Sequence, residues 1–210
     1  DEKELGCDLL DIGGGTTDIS IFIKGSIVHT FVLPLGGNNV TNDISYGLHT
    51  PFDDAEKIKR QWGCAITRMV QPDEEIEVAS VGGRPPRKMP RRTLCDIIQP
   101  RMEEILILAQ QEIAATGLSD LLAAGAVITG GSVIMEGMPE LAEDLLEMQI
   151  RRGSPQGIGG LVDVVKSPKF STAVGLVLHG AKRLVEAEIA AQHDRPPVGT
   201  RVLTWLKKVF

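Results

Sequence analysis

Aromatic side chains are scarce in this chain, at 4% of 210 residues, so a core built from it is aliphatic. Cysteine is scarce too. Cys7, Cys64 and Cys95 are odd in number and show no Cys-x-x-Cys spacing, which excludes a disulfide framework and reads as reduced or buried thiols of a cytosolic protein. His29, His49, His179 and His193 are scattered without metal-ligand spacing. No run of about 20 apolar residues crosses a bilayer, and no secretory leader is visible. Positive charge is in deficit: net charge is −6 and the pI near 5.3, which argues against nucleic acid as a partner. The Gly-Lys-Ser/Thr of a P-loop is missing as well.

What is present is Asp11-Ile12-Gly13-Gly14-Gly15-Thr16-Thr17-Asp18. Cys7–Leu10 before it and the β-branched, alternating Ile19–Ile23 after it read as two strands, so the eight residues form the bend of a hairpin. Three successive glycines let the backbone approach a ligand closely and turn its N–H groups onto an anion. Thr16 and Thr17 add hydroxyl donors, and Asp11 adds a hard oxygen suited to Mg²⁺ directly or through water. Chemically this is a phosphate clamp with a metal handle. The bland alternative is a glycine-rich turn.

The rest of the chain reads in order. Ile27–Leu35 is a third strand, and Gly36–Asn39 a turn. Thr41 is the expected N-cap of a helix near Ile44–Leu48. Pro51 breaks that helix, and Asp53 or Asp54 caps another that ends at Gly63. Residues 64–82 read as extended and irregular, and Gly82–Arg92 as a loop dense in Gly, Pro and cations. Thr93–Ile98 reads as a short helix, with a long one starting at Pro100. Ala124–Thr129 is a strand ending in Gly130-Gly131-Ser132. A helix near Leu141–Met148, a strand Val162–Val165 and a small-residue helix from Ala173 to about Ala191 follow. Asp194–Pro197 is a linker before a separate tail. The length suits one large domain or two small ones. The chain starts at Asp1 with its first strand already at the hairpin, and reads as the C-terminal part of a longer protein.

Two glycine turns about a hundred residues apart are what a cleft gripping both ends of a nucleotide needs. The Asp11–Asp18 string resembles the second phosphate motif of the actin, sugar-kinase and heat-shock-chaperone superfamily, and Thr129–Ser132 its adenosine motif. Ala173-Val174-Gly175 resembles its second connecting helix. Within that superfamily the chain looks like FtsA, the actin-like bacterial cell-division family. The resemblance rests on Leu33–Asp43 (Leu-Pro-Leu-Gly-Gly-Asn-Asn-Val-Thr-Asn-Asp), Ala55–Lys59, Val81–Arg87 and the amphipathic tail. It implies an α/β fold: half of an actin-like (ribonuclease H-like) ATPase domain, with a small α+β subdomain inserted. Residues 1–40 and 100–192 would be subdomain 2A, 41–99 the inserted subdomain 2B, 193–200 a linker and 201–210 a membrane-targeting helix.

By the same resemblance ATP and Mg²⁺ are the cofactors. Asp11 holds the metal shell, while Gly13, Gly14, Gly15, Thr16 and Thr17 cradle the β- and γ-phosphates. Glu56 and Lys59, one helical turn apart, reach ribose and adenine, although their charges alone read as a solvated face. Gly130, Gly131 and Ser132 bracket the adenosine. The superfamily's amino-terminal phosphate motif and first connecting helix are not in this chain. It is therefore expected to bind ATP weakly alone and hydrolyse none; the whole protein would be at most a weak ATPase.

Two cationic segments complete the reading. Val202, Leu203, Trp205, Leu206, Val209 and Phe210 fall on one helical face, opposite Arg201, Lys207 and Lys208, which suits an interfacial helix on an anionic membrane. From Arg84 to Arg101, six cations face one acid, Asp96. Arg101 and Glu104, with Arg87 as a helper, match the family's site for the acidic C-terminal peptide of the tubulin-like protein FtsZ. The implied role is an ATP-binding adaptor that forms actin-like filaments and tethers the FtsZ ring to the cytoplasmic side of the membrane at the septum. The competing readings are an ATP-hydrolysing enzyme or a chaperone-type nucleotide-binding half of the same superfamily.

Overall fold

The fold was analysed in a computed structural model that describes every residue except 81, 83, 160–164 and 194–210. Residues Asp1–Ser171 form one compact unit, and Thr172 onward a second that carries a single described helix. The first unit is a mixed sheet in the order β3-β2-β1-β6-β7. Strands β1 (Cys7–Ile12), β2 (Thr17–Ile23) and β3 (Ser26–Leu33) form an antiparallel meander. Strands β6 (Ala126–Thr129) and β7 (Ile150–Arg152) add parallel to β1. A two-stranded sheet, β4 (Glu75–Val78) with β5 (Arg87–Pro90), stands apart. Helices α1 (Glu2–Leu5), α2 (Gly37–Gly47), α3 (Phe52–Trp62), α4 (Arg91–Ala115) and α5 (Met138–Leu146) complete this unit, and α6 (Ser171–His193) begins at its boundary.

One face of the sheet carries the core. Leu10, Ile12, Ile19 and Ile21 are fully buried in one cluster with Ile98, Met102, Ile105, Leu106 and Ala109 of α4. The core is aliphatic as composition implies; among the described residues Phe22 is the one buried aromatic. All three cysteines are free and buried.

Several local expectations give way to longer-range packing. Helix α4 is continuous through Pro100, not two helices broken there. A proline inside a helix costs about 3 kcal/mol. Eight buried residues from Leu94 to Ile113 lie along this helix, and each large apolar one contributes roughly 1.5–3 kcal/mol, so the stripe outweighs the proline. Helix α2 starts four residues before Thr41. Its N-cap is Gly36, whose N–H donates to Asn39 Oδ1 at 3.0 Å. Pro51, not Asp53 or Asp54, is the N-cap of α3, whose end at Gly63 is as expected. Part of the cationic loop is strand β5, and Arg91 and Arg92 open α4. Strand β7 had no expectation. The expected strand Val162–Val165 falls largely outside the described residues, as do the linker and the tail from 194 on.

One buried group is poorly matched to its site. Asp8 shares the core face and a cross-strand row with Ile21 and His29, is fully buried, and neither carboxyl oxygen has a hydrogen-bond partner among the described residues. Loss of hydration raises its pKa from 3.8 to about 7; the nearby Leu9 N–H and His29 offset only part of this. Because the folded pKa lies above the unfolded one, stability is greatest below about pH 4 as far as this group is concerned. It falls as pH rises toward 7. Replacing Asp8→Asn should flatten that slope, by on the order of 4 kcal/mol between the two limits. Denaturant unfolding from pH 4 to 8 measures it; parallel slopes for both proteins would contradict the assignment.

Candidate nucleotide site

The hairpin bend closes on itself. Gly13 N–H donates to Thr16 O at 2.9 Å, and the bend sits where β1 ends. Strand β6 ends beside it, because the parallel register sets Asp11 opposite Thr129. The next residue, Gly130, has φ of +96°, and a Cβ there would lie 2.5 Å from Asp11 Oδ1 and collide with Ile12 O. A left-handed, side-chain-free residue is therefore obligatory at this crossing. It delivers Ser132 to the first turn, where its hydroxyl donates to Gly13 O at 3.2 Å. The two glycine turns converge.

A third segment joins them. Gly37 N–H donates to Gly13 O at 2.9 Å and Asn38 N–H to Gly14 O at 2.7 Å, stitching the start of α2 onto the bend. A Cβ on Gly36 would lie 2.8 Å from Gly13 O and from Gly14 O, and one on Gly37 would lie 2.7 Å from Ser132 Oγ. Beside this floor Lys59, its side chain 10% exposed, donates to Gly37 O at 2.8 Å and Thr41 Oγ1 at 2.7 Å, and pairs with Glu56 at 2.6 Å. Thr41 Oγ1 also bonds Glu56 at 2.5 Å. Lys59 and Glu56 thus neutralise one another while pinning α3 to the glycine floor.

Above the floor lies a cleft of about 840 Å³ whose walls include Gly13, Gly14, Glu56, Lys59, Gly131 and Ser132. That size suits a nucleotide. Gly130 lies behind the wall, against β1. Gly15 and Thr16 are exposed at the tip of the bend, Thr16 bonded to Asp18 at 3.1 Å. Thr17 is buried, and its hydroxyl donates to Leu35 O at 2.9 Å, so in this arrangement it braces β2. Asp11 is half-buried at the crossing. Among the described residues no group of three or more His, Cys, Asp or Glu could hold a metal. A magnesium ion here would take few protein oxygens and rely on phosphate and water, its usual habit.

Gly37, Asn38, Lys169 and Phe170 also line the cleft and were not foreseen. The doubled glycine before Asn38 is a visible signal in the sequence, and the structure makes it the start of α2 instead of a turn. The expected partner residues lie elsewhere. Arg101 Nε and an Nη donate to Asp43 at 2.6 and 3.1 Å, and Arg101 also pairs with Glu104. Arg87 donates to Leu48 O. A second hollow, of about 600 Å³, lies between α4 and α5. Its Arg68 and Asp144 are already paired, at 3.0 Å, and no glycine turn faces it, so the cleft is the better site.

Comparison with known proteins agrees with this architecture. The family described as Cell division protein FtsA matches residues 9–175. The chain is 43% identical over 218 residues to the Cell division protein FtsA of Pseudomonas aeruginosa, covering 100% of this chain and 52% of that protein. It is 43% identical over 221 residues to the one from Escherichia coli K12, covering 100% and 53%. The chain thus spans about half the length of these curated relatives. Among solved structures, MreB5 of Spiroplasma citri bound to ADP aligns with a TM-score of 0.64 at 18% identity, covering 93% of this chain and 58% of that one. The PilM of a PilM-PilN type IV pilus biogenesis complex gives 0.62 at 18%, covering 85% and 47%. A MamK double helical filament gives 0.58 at 16%, covering 81% and 54%. These structures establish the actin-like fold.

Gly130→Ala places a methyl group on the β1 backbone and in an unfavourable φ, at a cost of roughly 1–3 kcal/mol or more. The melting temperature should fall by about 2–12 °C, at roughly 2–4 °C per kcal/mol for a unit of this size. A melt within 1 °C of the parent, read by differential scanning calorimetry at roughly that precision, would contradict the close crossing.

Proposed function

The chain belongs to the FtsA family of cell division proteins, and on that premise we propose that it is the nucleotide-facing half of an ATP-binding adaptor of the division ring. The observation that supports this most is the meeting of Gly13, Gly14, Gly131 and Ser132 around one cleft. Bound ATP would lay its phosphates against the glycine floor, with Asp11 facing the metal shell. The base would lie between α3 and the loop after Gly130. Residues 1–40 and 100–192 would serve as subdomain 2A and 41–99 as subdomain 2B. Gly15, Thr16 and Thr17 would reach phosphate by a rearrangement of the bend tip, since only Gly13 and Gly14 of that string line the cleft.

Self-association into actin-like filaments follows the same premise. Residues 201–210 would anchor those filaments to an anionic bilayer by folding on its surface, where each basic side chain contributes about 1 kcal/mol. Among the described residues no helix is long and apolar enough to cross a membrane. Co-sedimentation with vesicles containing anionic lipid tests the anchor. The chain should pellet, and a form lacking residues 199–210 should stay in the supernatant; equal pelleting would overturn this arm.

The acidic C-terminal peptide of FtsZ would bind at Arg101 and Glu104, with Arg87 nearby. The geometry adds a condition. Arg101 is held by Asp43 and Glu104, so a peptide carboxylate must displace one of them or share the guanidinium. Arg101→Glu should abolish peptide binding in a fluorescence anisotropy titration, with far-UV circular dichroism unchanged. Asp43→Asn should strengthen binding by a few-fold, as expected when a competing carboxylate is neutralised. Unchanged affinity in both variants would contradict this site.

A further inference from the structure

Arg91 occupies a singular position. It is the first residue of α4, and its side chain is 12% exposed. Its Nε donates to Trp62 O at the end of α3 at 2.7 Å. One Nη donates to both carboxylate oxygens of Glu74, at 3.1 and 3.0 Å, and the other to Glu136 at 2.5 Å. Its own N–H donates to Glu74 O at 2.7 Å. One guanidinium thus holds three segments that are far apart in sequence.

Two of those segments are opposite walls of the cleft. Helix α3 contributes Glu56, Lys59 and Arg60 to one wall; the loop after Gly130 contributes Gly131, Ser132 and Glu136 to the other. Lys59 meets the glycine floor, and Trp62 lies three residues, about 4.5 Å of helix, farther along. The Arg91–Glu136 pair therefore closes the cleft at its far end, away from Gly13 and Gly14. Glu136 is seated at that end by its backbone too: its carbonyl accepts from Ala65 N–H at 2.8 Å. Gly137 follows with φ of +76°, where a Cβ would lie 3.2 Å from Met69 Sδ and 3.4 Å from Ile66.

We propose that the Arg91–Glu136 pair is a latch that sets the width of the cleft at the base-binding end, and so governs how well a purine is held without touching the phosphates. The inference rests on the nucleotide reading above and adds a positioning residue to it. Arg91 suits the task because a planar fork with five donors serves a backbone carbonyl and two carboxylates at once, which an ammonium does not. With the latch broken, the wall after Gly130 keeps its bond from Ser132 to Gly13 O and the buried Val133 but loses its tie to α3 at Glu136, and the base loses its fixed slot.

The test compares ATP with inorganic tripolyphosphate, which has the phosphates and no base, titrated into the full chain at millimolar concentrations by phosphorus NMR. Glu136→Ala is the primary variant, because Arg91 keeps Glu74 and Trp62 O and the Ala65 bond is to backbone. Arg91→Lys is the second. The parent should bind ATP more tightly than tripolyphosphate. Each variant should lose about tenfold in ATP affinity, the effect of one charge-assisted hydrogen bond, and keep its tripolyphosphate affinity within about twofold. ATP affinity unchanged in both variants would overturn the latch. Equal loss for both ligands would also overturn it, because a general loosening of the fold does not single out the base. A parent that binds neither ligand would overturn the nucleotide reading itself.

Discussion

The crossing of Gly130 over the end of β1 is the constraint on which the site depends. Two parallel strands pair from Asp8 and Ala126 to Asp11 and Thr129, and each then turns through glycine. Because Gly130 has no side chain, the second turn passes directly over Ile12 and Asp11. A single added methyl would lift Gly131 and Ser132 away from Gly13. The cleft thus follows from strand register and from a missing Cβ, before any charged group is considered. This is the general logic of ligand sites at the carboxyl ends of parallel strands, where backbone rather than side chains supplies the floor.

Charge is arranged around that floor in balanced pairs. Lys59 and Glu56 pair within α3 and reach α2 through Gly37 O and Thr41, while Arg91 with Glu74 and Glu136 and Arg101 with Asp43 join separate elements. None of these cations is an isolated charge awaiting an anion. On the proposed reading, polyphosphate would be held by backbone N–H groups, by an accompanying metal and by the other cations lining the cleft, Arg60 and Lys169. On the proposed nucleotide reading this would be one part of a site, in a chain that spans about half the length of the curated relatives it matches.

Much of this was readable from residue order, and the exceptions share a cause. The hairpin from Cys7 to Ile23 was legible because a glycine triplet between an apolar run and a β-branched, alternating one has few other solutions. Strand β6 and its glycine end were legible for similar reasons. Pro100 misled because a local rule on helix starts was set against a burial stripe running through it. Thr41 misled because it lies one turn inside its helix, where its hydroxyl donates back to Gly37 O as well as bonding Glu56 and Lys59 of the next helix. The pairing of Arg101 with Asp43 spans 58 positions, and that of Arg91 with Glu136 spans 45. Only the fold brings them together. Asp8 is the opposite case: a carboxylate placed where the alternation of β1 calls for an apolar residue, with no hydrogen-bond partner among the described residues.

The most direct measurement is backbone amide NMR of the chain titrated with Mg²⁺ and a non-hydrolysable ATP analogue. If one nucleotide spans both turns, the amides of Gly13 to Gly15 and of Gly130 to Ser132 shift together, with a single shared saturation curve. Movement of only one cluster, or two clusters saturating at different concentrations, would contradict a common site and with it the reading of this cleft.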